Sequence, residues 1–228
     1  MKTTVIMIRH GQSVANAEDR FAGHSDFDLT ELGKKQAELA ASYHFGKTQI
    51  DAIYSSDLLR AYNTALPFSK LYGIPIEKRE GLRELYAGLW EGHTISELVE
   101  LYRDDMKAWR DDFSNARCTD GESTQELYVR VVKEVLSIAR ENVGKTLLLA
   151  THATPIRAIE AFSRGLPKER IHEVSFCKNT SLNFFEYDSE QNTLIPIKLN
   201  SVEHLDSSLV TSVPASLRQI PGKDTPKD

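Results

Sequence analysis

Three short apolar runs punctuate the chain at wide intervals. Val5-Ile6-Met7-Ile8 stops at Arg9, Ala52-Ile53-Tyr54 stops at a pair of serines, and Leu147-Leu148-Leu149-Ala150 stops at Thr151-His152. Runs of this length predict buried strands. Each is followed by a polar cluster and then by helical periodicity. That order predicts an α/β fold, a three-layer αβα sandwich around a mostly parallel sheet. Residues 182–187 and 194–199 predict a pair of strands turning over residues 188–192. Pro196 places the second of them at an edge, because proline cannot donate to a ladder.

Between the strands the apolar positions fall on helical spacing. Thr30 is an expected N-cap, with Leu32, Leu39, Ala40 and Tyr43 on one face of the helix it starts. Leu58, Ala61, Ala65, Phe68 and Tyr72 form a second stripe, which Pro67 is expected to kink or break. Ile95, Leu98, Val99, Tyr102, Met106 and Trp109 form a third. Ser123 with Glu126 matches a capping box ahead of Leu127, Val131, Val135 and Ile138. Pro155 suits the first turn of a helix running to about Gly165. Residues 86–122 interrupt the strand–helix rhythm and read as a helical excursion over the sheet, inside a single domain of residues 1–205. The tail, residues 206–228, is rich in Ser, Pro and Lys and is expected to be partly disordered.

Composition narrows the class of protein. In 228 residues, Lys+Arg 28 against Asp+Glu 33 gives a net charge of −5, with 40% hydrophobic and 27% charged residues. A mildly acidic globular chain argues against a nucleic-acid partner held by a general basic field. No apolar run approaches the ~18 residues of a membrane span, and the N-terminus lacks the pattern of a secretory signal. Cys118 and Cys177 lie far apart with no metal spacing, which fits a reducing, cytoplasmic location.

Four polar clusters stand where predicted strands end, the usual place for ligands in open α/β sheets. Arg9-His10-Gly11 can present an imidazole nitrogen to an anion. Arg60, in the first turn of the second helical stripe, can point its fork back at a phosphate. Glu84, flanked by leucines in Leu82-Arg83-Glu84-Leu85, would be suited to general acid work by partial burial. His152 stands beside a helix N-terminus, which favours anions. Taken singly, each has an ordinary alternative: a surface loop histidine, a solvated arginine, a salt-bridged carboxylate, a satisfied core histidine.

Together the clusters are far more specific. Arg9-His10-Gly11, residues 55–61 (Ser-Ser-Asp-Leu-Leu-Arg-Ala), Leu82-Arg83-Glu84 with residues 88–92 (Gly-Leu-Trp-Glu-Gly), and Thr151-His152 with Ile156-Arg157 follow one another in an order that resembles the histidine phosphatase superfamily, also called phosphoglycerate mutase-like. Residues 26–33 and Gln36-Ala37 match as well. The resemblance covers roughly residues 4–187. It implies that His10 is a nucleophile carrying a phosphoryl group, that Arg9, Asn16, Arg60 and His152 hold phosphate oxygens, and that Glu84 serves as acid and then base. It implies no metal and no cofactor, and a small phosphorylated metabolite as substrate. Gly23, His24 and Ala153 are possible pocket residues.

Departures from the mutases point to the phosphatase branch. Ala15 stands where they carry Trp, Ala87 where they carry Tyr, and Ile95 where they carry Lys, and their insertion with paired arginines is missing. A mutase and a catalytically silent phosphate-binding module are the rival readings. One decoy is present: Asp26-Phe27-Asp28-Leu29-Thr30 matches the Asp-x-Asp-x-Thr motif of magnesium-dependent aspartyl phosphatases. The residues before it do not read as a buried strand, so Asp26 and Asp28 are expected to shape a loop.

Overall fold

The computed structural model describes residues 2–213. Six strands form one sheet: β1 (Thr3–Arg9), β2 (Ala52–Ser55), β3 (Ile76–Lys78), β4 (Thr146–Thr151), β5 (Leu182–Asp188) and β6 (Thr193–Ser201), in the order β3-β2-β4-β1-β5-β6. The first four strands in that order run parallel, and β5 and β6 add an antiparallel hairpin beside β1. Pro196 does lie on the edge strand. Side-chain alternation splits the core. Val5, Met7, Leu147 and Leu149 face one layer, and Ile6, Ile8, Leu148 and Ala150 face the other. Helices α2 (Glu31–His44) and α3 (Leu59–Tyr72) cover the second face. The first is covered by α6 (Thr124–Glu141) and α7 (Ala153–Ser163), with α4 (Ile95–Leu101) and α5 (Arg103–Asp111) beyond them; a four-residue α1 (Val14–Ala17) follows β1. This is the expected α/β sandwich.

Local signals explain most helix starts. Thr30 caps α2 by accepting from Gly33 N, and Ser123 and Glu126 form the capping box of α6. Leu127, Val131, Val135 and Ile138 are fully buried. Three expectations were wrong in detail. α3 runs unbroken through Pro67. That residue lies on a partly exposed flank, where water can satisfy a freed carbonyl, while Ala65 and Phe68 beside it hold the helix in the core. The third stripe is two helices, because Tyr102 at φ −128° and ψ 49° leaves helical geometry between α4 and α5. The face that α2 buries is Gly33, Gln36, Ala37, Ala40 and Ala41, with Leu32, Leu39 and Tyr43 only half-buried beside it. Small residues bring this helix close to the sheet. Strand β3 is too short and exposed to leave an apolar run, and its pattern predicts nothing.

The tail starts out ordered. Residues 206–213 are tied down: Gln36 Nε2 donates to Leu209 O at 2.7 Å, and Asn179 N donates to Thr211 O at 2.9 Å. Val213 is buried. The rest of the expected disordered tail, residues 214–228, lies outside the described residues. Among the described residues no helix is long and apolar enough to cross a membrane.

Candidate active site

Parallel pairing of β1 with β4 sets Arg9 opposite Thr151, so the next residues, His10 and His152, leave the sheet side by side. Their rings lie 5.2 Å apart. His10 is buried, and its backbone N–H donates to Thr151 O at 2.9 Å. Its Nδ1 lies 2.7 Å from Gly11 O. A carbonyl can only accept, so Nδ1 carries the proton and Nε2 keeps its lone pair. Burial, then Arg60 and Arg9, hold the His10 pKa well below its ordinary value, so the ring is neutral at physiological pH.

Gly11 has a packing reason. A Cβ there would lie 2.5 Å from Gly33 O, and one on Gly33 would lie 2.1 Å from Gln12 O. The two glycines let α2 press directly on the loop that follows β1. Gly11 N also donates to Thr64 Oγ1 at 3.0 Å, tying the loop to α3.

Two arginines are buried beside the histidine. Arg9 donates from Nη1 to Cys177 O at 2.6 Å. Arg60 donates to Ser25 O at 2.9 Å and Gly23 O at 2.7 Å. Burial lowers the Arg60 pKa to about 10, which leaves it charged at neutral pH. The loop that holds it is itself held. Glu91 accepts from His24 N at 2.7 Å and from Ser25 Oγ at 2.9 Å. Gly23 sits at φ +52° with no room for a side chain against Glu91. Glu91 had entered only as part of a motif; its work is to fix the acceptors of Arg60.

Glu84 is half-buried and makes no ion pair among the described residues; the neighbouring ion pair is between Arg83 and Asp57. Its Oε1 accepts from Leu85 N at 2.9 Å, and its Oε2 from Thr154 N at 3.4 Å, at the start of α7. Arg130 fastens the backbone around it, donating to Gly81 O, Arg83 O and Glu84 O while paired with Glu122. Nothing in the sequence pattern marked Arg130, since it lies beside the apolar stripe of α6 like any solvated arginine.

His152 is fully buried, and burial, Arg60 and His10 lower its pKa well below the usual range. Its Nε2 lies 2.9 Å from Ser56 Oγ, while its Nδ1 is buried with no hydrogen-bond partner among the described residues. Ser56 Oγ also accepts from Leu58 N at 3.4 Å and keeps a second lone pair, so it can either donate to Nε2 or accept from it.

An open pocket of about 690 Å³, solvent at its mouth included, lies among these groups; His152, fully buried, is not part of its lining. Arg9, His10, Asn16, Arg60 and Glu84 line it, as do Gly23 and Ala153. His24 does not: its Nε2 donates to Glu84 O at 2.9 Å and its ring packs on Tyr86. Ala15, Ala87 and Ile95 are core residues and do not line the cavity. The outer wall is instead Phe21, Leu85, Trp109, Phe176 and Val213, with Arg20 at the side. Phe21, Phe176 and Val213 carry no mark in the sequence, where Trp109 reads as packing on a helical stripe. Trp109 does both, stacking edge-on against Phe21 and Trp90.

Asp26 accepts from Leu59 N at 2.7 Å, capping α3 where Leu58 cannot. Asp28 accepts from Leu29 N and Asn63 Nδ2. Both shape a loop, as expected. Among the described residues no cluster of three His, Cys, Asp or Glu is placed to hold a metal ion.

A family model described as "Histidine phosphatase superfamily (branch 1)" matches residues 5–199. The chain belongs to that superfamily. Its relatives include phosphoserine phosphatase 1 of Hydrogenobacter thermophilus, 30% identical over 201 residues, covering 88% of this chain and 93% of the relative. Phosphoglycerate mutase-like protein 4 of Arabidopsis thaliana is 29% identical over 193 residues, 83% of this chain and 82% of the relative. Among solved structures, Bacillus stearothermophilus YhfR superposes with a TM-score of 0.84 at 27% identity, covering 90% of this chain and all of that one. Histidine phosphatase membership makes the chain an enzyme, a phosphoric monoester hydrolase.

Proposed function

We propose that this histidine phosphatase hydrolyses small phosphate monoesters through a phosphohistidine on His10, with Glu84 moving the protons and water as the final acceptor. The observation that carries the reading is the His10 tautomer. A neutral imidazole with its proton fixed on Gly11 O keeps the Nε2 lone pair for phosphorus, beside two buried arginines.

In the first step Nε2 attacks phosphorus, the P–O bond to the alcohol breaks, and Glu84 gives its proton to the departing oxygen. Arg9, Arg60, the Asn16 amide and the His152 imidazole bind the non-bridging oxygens as charge spreads over them. In the second step water attacks the phosphohistidine and loses a proton to Glu84. The P–N bond breaks, and phosphate leaves with the His10 lone pair restored. The substrate is read as a small phosphorylated metabolite of the cytoplasm. The location rests on two buried, free thiols, Cys118 and Cys177.

The cavity favours hydrolysis over mutase chemistry. A mutase must hold a second phosphate and a carboxylate, which calls for further cations. Among the described residues the lining adds to Arg9 and Arg60 one further arginine, Arg20, whose Nε and Nη1 donate to Glu18 and Gly92 O, and the outer wall is apolar. The test supplies 3-phosphoglycerate with a trace of 2,3-bisphosphoglycerate, followed by a panel of phosphorylated metabolites. Free phosphate should be the product throughout, and His10→Ala should release none. Formation of 2-phosphoglycerate much faster than phosphate would establish the mutase instead. No turnover of any ester would establish a silent module.

A further inference from the structure

The family match ends at residue 199, yet the chain goes on to pass beside the nucleophile loop. Residues 206–213 lie along it, with Val213 in the cavity wall. Thr211 sits at the end of a line of hydrogen bonds whose direction is fixed by backbone groups. Ser13 N donates to Asn16 Oδ1 at 3.2 Å. A backbone N–H cannot accept, so the Asn16 oxygen must face it. Asn179 Nδ2 donates to that same oxygen at 3.2 Å and to His10 O at 3.0 Å, and a carbonyl cannot donate. The Asn179 oxygen therefore faces away, and Thr211 Oγ1 donates to it at 3.1 Å. Thr211 Oγ1 in turn accepts from Gln36 Nε2 at 2.9 Å. Gln36 is oriented by Gln12 N, which donates to its oxygen at 2.9 Å, and by Leu209 O.

Both acceptor sites of the Asn16 oxygen are thus occupied by protein donors. Its amide nitrogen is left to the cavity that Asn16 lines. We propose that Thr211 is a positioning residue: acting through Asn179, it locks the Asn16 amide with its N–H groups toward the bound phosphate, so the C-terminal segment sets phosphate affinity. The proposal rests on the reading of Asn16 as a phosphate ligand. Without the Thr211 hydroxyl, the Asn179 oxygen loses its donor and His10 O alone is left to hold the amide in line. The grip of Asn179 on the Asn16 oxygen then loosens, and the Asn16 amide is held less firmly toward the phosphate.

The experiment measures binding of inorganic phosphate to the full chain by calorimetry, with no turnover involved. Thr211→Val, close in shape, should weaken phosphate about tenfold, the scale of one hydrogen bond to a charged group. Thr211→Ser, which keeps the hydroxyl, should bind as the parent does. Thr211→Ala stands in if the valine variant misfolds. In an Asn16→Ala background, Thr211→Val should add nothing. Unchanged affinity in Thr211→Val, equal losses in the serine and valine variants, or a full further loss in the Asn16→Ala background would overturn the proposal while leaving Asn16 as a ligand. Parent-like affinity in Asn16→Ala alone would remove Asn16 from the phosphate site, and the proposal with it.

Discussion

Replacing Glu84 with glutamine keeps the side chain's size and removes its capacity to give and take a proton. The structure bounds the collateral damage. Glu84 accepts from Leu85 N at 2.9 Å and Thr154 N at 3.4 Å, and an amide oxygen can serve only one of these well. Leu85 N is the better partner, so the longer contact at the start of α7 is the one lost. Losing one long, half-buried hydrogen bond should destabilise the fold by about 1 kcal/mol or less. Turnover should suffer far more. General acid catalysis contributes roughly 10²–10⁴-fold, so an alkyl phosphate should be hydrolysed at least about 10²-fold more slowly. A p-nitrophenyl ester has a leaving group that needs little protonation, so its phosphorylation step should slow much less. The assay is single-turnover phosphorylation of Glu84→Gln with both esters, alongside thermal melts. Equal losses on the two esters, or a melting temperature lowered enough to account for them, would assign Glu84 to structure and not to proton transfer.

Three further outcomes follow from the geometry. Gly33→Ala places a Cβ 2.1 Å from Gln12 O, a backbone atom that cannot swing away. It should cost about 1–3 kcal/mol in a denaturant melt and reduce activity through the displaced nucleophile loop; an unchanged midpoint refutes the tight contact. Stability should fall as pH drops from 7 toward 4. His10 and His152 have lowered pKa values, and burial lowers His204 from 6.5 to about 4, so in this window the unfolded chain binds protons that the folded one does not. Thermal melts at pH 7 and pH 5 check it, and a flat or rising melting temperature at pH 5 refutes it. Asp26→Asn keeps the oxygen that caps α3 and should keep most of the activity, with excess EDTA also tolerated. Loss of activity on chelation, restored by magnesium, would favour an aspartyl nucleophile.

Much of this was legible in one dimension because strand ends carry the chemistry. Apolar runs located β1, β2 and β4, and parallel pairing then forced the residues just past them, His10 and His152, into contact. What stayed hidden is what acts across distance. Arg130 holds the Glu84 segment from a helix 46 residues on, and Asn179 holds His10 O from 169 residues away. Neither has a periodicity or a local partner to mark it. The cavity's outer wall was missed for a related reason. Phe21, Trp109, Phe176 and Val213 come from four separate segments, and each alone reads as ordinary core. Pro67 misled because propensity was weighed without the packing of Ala65 and Phe68, which keeps α3 whole.

The central claim is covalent: the phosphoryl group rests on His10 Nε2 between the two steps. It is tested by mixing the protein with a rapidly cleaved ester, quenching in alkali within milliseconds, and mapping the modified peptide by mass spectrometry with ³¹P NMR of the intact chain. The phosphate should sit on the peptide holding Arg9-His10-Gly11, survive base and be lost in acid, give the signal of an Nε2-linked phosphohistidine, and be absent from His10→Ala. Phosphate on another residue, or full turnover by His10→Ala, would contradict the mechanism.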